Sequence, residues 1–167
     1  MYRLKPLSKE AVPAALAKAE RYRLLNEPGE AESICLDVLD VDPGNQDAMI
    51  MLVLALTDQF ADESPSHAIG RAKDLVSQLA DEYDRLYYSG IVRERRAKTV
   101  LYHQRFGATA NAVAWLREAM DFYASAEAIR PANNDDAVLR WNACARLLMQ
   151  MPQVEPDLSA PEPIQME

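Results

Sequence analysis

Apolar residues three and four apart recur in segment after segment of this chain, broken only by short turns rich in Pro, Gly and Asn. That leaves one architecture, a set of packed helices. In residues 28–41, Ala31, Ile34, Cys35, Val38 and Leu39 share one helical face. Met49, Leu52, Val53 and Leu56 do so in residues 46–60. The same spacing runs through Ala112, Trp115, Leu116, Ala119, Tyr123 and Ala126, and again through Val138, Trp141, Ala145 and Leu148. No segment has the clean alternation of a half-buried strand. With nearly half its residues hydrophobic and only five glycines among 167 residues, the chain reads as all-α.

The turns divide it into elements. Helices are expected over 8–26, 28–41, 46–60, 82–106, 109–130 and 134–151. A further one begins at Pro65 and turns Ala68, Ala72, Leu75, Val76 and Leu79 inward. Ser8 and Ser64 are candidate N-caps, and Pro13 fits only the first turn of its helix. Asp42-Pro43-Gly44-Asn45 is a turn, and Gly107 is a candidate C-cap. Residues 8–151 read as one domain. Residues 152–167, with four prolines and scattered acids, read as a disordered tail.

A longer period underlies these helices. Ala19 and Tyr22 are followed by Ala31, twelve residues after Ala19, and by Pro43, twelve later, with Cys35 between. Val53 and Ala68 repeat this less closely, the loop at 61–64 absorbing three extra residues and Ala80 standing where a closing proline would fall. Leu86 and Gly90, then Ala119, Tyr123, Ala126 and Pro131, form a third unit. The pattern resembles the tetratricopeptide repeat, a unit of about 34 residues folded as two antiparallel helices. The resemblance covers roughly residues 10–151. It implies a stack of antiparallel helix hairpins, about seven helices in all. The third unit carries seventeen extra residues between Gly90 and Ala119. They would extend both of its helices by about two turns each, and the last helix would cap the stack.

The resemblance also implies a place for a ligand. In that family the first helix of each pair lines a concave binding face. Carried onto this sequence, the face would hold Leu16 and Glu20, Ile50 and Leu54, then Tyr87, Ile91, Arg95, Lys98 and Tyr102, with Val138, Asn142 and Arg146 closing it. Its apolar middle suggests a groove for an apolar or amphipathic segment of a partner protein, unless the last helix fills it. Some members of the family hold a partner's C-terminal carboxylate with Lys and Asn side chains. Leu16 and Glu20 occupy the corresponding places here, which argues against that clamp.

Other residues are weighed more simply. Arg93, Arg95, Arg96, Lys98 and Arg105 form a basic cluster spread over more than one helix face. It reads as solvated and paired with nearby Glu94 or the acidic segment 81–84, or as a docking patch for an acidic partner or the protein's own acidic tail. The net charge of −8 opposes binding to nucleic acids or anionic membranes. Cys35 and Cys144 read as buried free thiols, and Trp115 and Trp141 as core. His67 and His103 lack a second ligand at metal spacing, and no catalytic triad order, phosphate loop or HExxH motif is present. No metal, cofactor or enzymatic activity is therefore expected. No apolar stretch follows Met1–Pro6 as a secretory signal requires, so the expected compartment is the cytoplasm. The expected function is that of a protein-binding adaptor, scaffold or chaperone. The alternative is a self-assembling structural protein whose long third hairpin mediates homo-oligomerisation.

Overall fold

The computed structural model describes residues 3–61, 65–102 and 108–151. Among these residues lie seven α-helices and no strand: α1 (Val12–Leu24), α2 (Pro28–Val41), α3 (Gln46–Asp58), α4 (Pro65–Ser77), α5 (Glu82–Tyr102), α6 (Ala108–Ala128) and α7 (Asp136–Gln150). A 3-10 turn at Lys9–Ala11 leads into α1. Ser8 precedes that turn but makes no side-chain cap bond. Pro13 falls in the first turn of α1, where its missing N–H costs nothing. The expected caps Ser64 and Gly107, the tail after Met151, and His103 and Arg105 lie outside the described residues.

Local chemistry sets the helix ends. At the end of α1, Asn26 adopts φ 60°. The Glu27 N–H reaches the Tyr22 carbonyl at 2.9 Å and the Asn26 N–H the Arg23 carbonyl at 3.0 Å. This pair of bonds satisfies carbonyls that the last turn would otherwise leave unbonded. Asn45 starts α3, its Oδ1 accepting from the Ala48 N–H at 2.9 Å. Arg85 of α5 donates to the Leu79 and Ala80 carbonyls beyond α4, at 2.6 and 2.8 Å.

Successive helices pack on one another, and α1 also touches α3, and α3 touches α5. The result is a stack of helix hairpins, α1–α2, α3–α4 and α5–α6, with α7 laid on the last. The third hairpin is the long one. Its helices have 21 residues each, against 13 or 14 in the first four.

Small residues bring the helices close. Ala19, Ala31, Ala72, Ala119 and Ala126 have no exposed surface. Leu52, Val53, Leu56 and Phe60 fill the core of the first two hairpins. Leu116 and Tyr123 fill that of the third. Each such large side chain contributes about 1.5–3 kcal/mol by leaving water. Cys35 and Cys144 are buried free thiols. Trp141 departs from the core reading and is 37% exposed. Among the described residues no helix is long and apolar enough to cross a membrane.

Candidate functional site

The odd-numbered helices converge on one cleft of about 610 Å³. Arg23 and Leu24 come from α1, Thr57 and Asp58 from α3, Arg95, Lys98, Thr99 and Tyr102 from α5, and Arg140 from α7. The cleft lies at the C-terminal ends of α1, α3 and α5. Exposed carbonyls there favour nearby cations, which accounts for part of the positive charge.

Two carboxylates organise the cations. Asp58 accepts from Arg23 Nε at 2.8 Å and from Arg95 Nη1 at 3.2 Å, tying α1, α3 and α5 together. Glu94 has no exposed surface. It accepts from the Tyr123 hydroxyl at 2.6 Å, from Lys98 Nζ at 2.5 Å and from Arg140 Nη1 at 3.3 Å. Burial pushes the Glu94 carboxyl up. Hydrogen bonds from Lys98 and Tyr123 and the charges of Lys98 and Arg140 outweigh that, and the group sits below its ordinary value. The same arrangement drives the Tyr123 hydroxyl upward, through burial first and then the Glu94 charge. Glu94 is thus an ionised floor beneath the cleft. Solvent meets four cations, with Asp58 as their partly exposed counterion. Leu24 and Tyr102, 82% and 81% exposed, form apolar lips.

The residues expected on the binding face divide into three groups. Arg95, Lys98 and Tyr102 line the cleft. Leu16 packs beside Val12, Val38 and Ala48, while Leu54 and Tyr87 pack against the third-hairpin core. Ile91 is only 1% exposed. It cannot touch a partner, because the α5–α6–α7 core encloses it. The continuous apolar groove is therefore absent at its centre. Glu20 and Arg146 are exposed and Ile50 half-buried, all outside the cleft lining. Val138 and Asn142 are half-buried on α7.

The basic cluster of α5 splits in two. Arg95 and Lys98 face the cleft. Arg93 pairs with Glu118 of α6 at 2.9 Å, and Arg96 lies 3.8 Å over the Trp115 ring. Sequence reasoning missed Arg23, Asp58 and Arg140, and treated Glu94 as a surface counterion. One signal was available for Glu94. It stands four residues after Gly90, on the face that meets α6, and four before Lys98. A Cβ at Gly90 would fall within 3.0 Å of the Tyr123 ring, so the glycine is what admits the tyrosine to Glu94.

Among the described residues no group of three or more His, Cys, Asp or Glu is placed to hold a metal ion. No protein-family model, curated protein or solved structure matches the chain.

Proposed function

We propose that this chain is a non-catalytic protein-binding module of the tetratricopeptide kind, working as a cytoplasmic adaptor, scaffold or chaperone. Its partner segment would lie in the cleft of the odd-numbered helices. The observation that supports this reading is the convergence of Arg23, Arg95, Lys98 and Arg140 from three separate helices on one open cleft. A net charge of −8 makes such a local cation excess unusual for the molecule. The enclosed position of Ile91 shifts the partner's chemistry from apolar to acidic, with apolar side chains meeting Leu24 and Tyr102. Attraction of this kind speeds encounter and is weakened by salt.

The test is a fluorescence-polarisation titration with labelled peptides of matched apolar content, one set rich in Asp and Glu, the other in Lys. The acidic set should bind and weaken as salt rises. Arg95→Glu, a half-buried rim position, should reduce its affinity about tenfold or more. Equal binding of both sets, or an unaffected variant, would reject the reading. A homo-oligomer in sedimentation that dissociates on Tyr102→Ala would favour the self-assembling alternative, since Tyr102 is a largely exposed aromatic on the long hairpin.

A further inference from the structure

Arg93 and Arg95 stand two residues apart on α5, about 200° around the helix axis. Arg93 therefore points away from the cleft, toward a second cavity between α4 and α5. That cavity has a volume of about 210 Å³. Val76, Val92 and Phe122 give it apolar walls, and Lys73, Ser77, Arg85, Ser89 and Arg93 supply its polar groups. It is smaller than the roughly 300–1,000 Å³ of sites for drug-sized ligands, so it suits one small molecule or one side-chain group.

Its charge is unbalanced. Arg85, also on the lining, is engaged by the Leu79 and Ala80 carbonyls. Arg93 is held by Glu118. The packing of α4 on α5 then brings Lys73 into the field of Arg93 and Arg96. Burial and the repulsion of those two guanidiniums lower the Lys73 pKa, and Glu118, already bonded to Arg93, is the acid that opposes them. Lys73 is exposed at the mouth of the cavity, and like charges gathered there repel one another, less strongly than in the interior, unless an anion joins them. No acid is among the residues that line this cavity. Glu118 and Asp121 line a neighbouring cavity that shares Arg93 and Phe122. An anion would therefore enter from the α4 side.

We propose that the α4–α5 cavity binds a small amphiphilic phosphate ester, with its phosphate between Lys73 and Arg93 and its apolar body against Val76, Val92 and Phe122. A doubly charged group with three free oxygens matches two cations and a hydroxyl better than a single carboxylate does. Arg93 offers a planar fork, and Lys73 a compact charge that follows the ligand. The ester's source is a free metabolite or a phosphorylated aromatic side chain of a polypeptide. This site is independent of the cleft and of the function proposed for it.

Isothermal titration of the full chain with phenyl phosphate, inorganic phosphate and phenol tests the proposal. Phenyl phosphate should bind saturably, about tenfold or more tightly than inorganic phosphate, and phenol should not bind. Lys73→Glu should weaken phenyl phosphate about tenfold or more while raising the melting temperature, since the new carboxylate neutralises the cluster. Arg93→Gln should weaken it in the same sense. A phosphotyrosyl peptide that binds more tightly than phenyl phosphate would assign the ester to a polypeptide, and one that binds less tightly to a free small molecule. Absence of saturable phenyl phosphate binding, or binding unchanged in Lys73→Glu, would overturn the site.

Discussion

Glu94 can remain ionised without any exposed surface because each oxygen has a donor. Oε1 receives Lys98 and Arg140, and Oε2 receives the Tyr123 hydroxyl. A buried ion pair of this kind is weak evidence for stability in itself, since desolvation offsets the attraction. Removing one donor is different, because the charge stays and its partner goes. Tyr123→Phe keeps the ring against Gly90 and deletes only the hydroxyl. It is expected to cost about 1.5–3 kcal/mol, the range for a hydrogen bond to a charged group. Urea denaturation with an unchanged slope would measure this. A loss well under 1 kcal/mol would mean that water replaces the hydroxyl and that Oε2 is less enclosed than its position indicates. The spacing of Gly90, Glu94 and Lys98 was visible in the sequence. Tyr123 is 29 residues away, and no local pattern assigns its hydroxyl a partner.

Helices were the most legible level, because a 3.6-residue apolar period and Pro or Gly punctuation are both local signals. Their ends were less so. Helix α6 stops at Ala128, short of Pro131, and α7 starts at Asp136 only after Asn133 has taken φ 64°. A left-handed Asn between helices leaves no strong trace in composition. The turn before α3 is legible as a break, but its cap chemistry is not. Asn45 both accepts from the Ala48 N–H and donates through Nδ2 to Asp42 Oδ2 at 2.9 Å. One side chain therefore fixes the end of α2 and the start of α3. Asn45→Ala is expected to destabilise the protein by about 1 kcal/mol. Asn45→Asp, which keeps the acceptor but sets a charge against Asp42, should fall between the two. Thermal melts of the three proteins would give the order. An alanine variant as stable as the original would show that tertiary packing alone fixes the start of α3.

At the scale of the whole molecule, the sequence yields which helices stack but not which surface they leave open. Ile91 and Leu54 sit on the expected helices, yet the packing of α3 on α5 and the α7 cover take that part of the face. The cleft that remains is set by side chains 35 to 46 residues apart, and no local pattern announces such pairs. The same burial fixes a response to pH that belongs to the fold as a unit. Burial raises the thiols of Cys35 and Cys144 from an ordinary 9.0 to about 12. A raised value means that the folded state holds its proton more tightly than the unfolded chain. This stability is complete below pH 9 and is lost as pH rises toward 12, at about 1.4 kcal/mol per pH unit for each thiol. Glu94 has the opposite sign. Its value is lowered from 4.5, so its contribution is present above that pH and lost below it. Stability should therefore form a plateau with a shoulder on each side. The thiols carry most of the alkaline shoulder between pH 9 and 10, where Tyr83, Tyr88 and Tyr123, raised from 10.0, add a smaller share. Urea midpoints at pH 7, 9 and 10 should fall over the last interval in the native protein. The double variant Cys35→Ala, Cys144→Ala starts lower, because each site loses a packed sulfur, but its midpoint should change much less from pH 9 to 10. Parallel slopes in the two proteins would place the alkaline response elsewhere and would imply that the two thiols reach water in the native state.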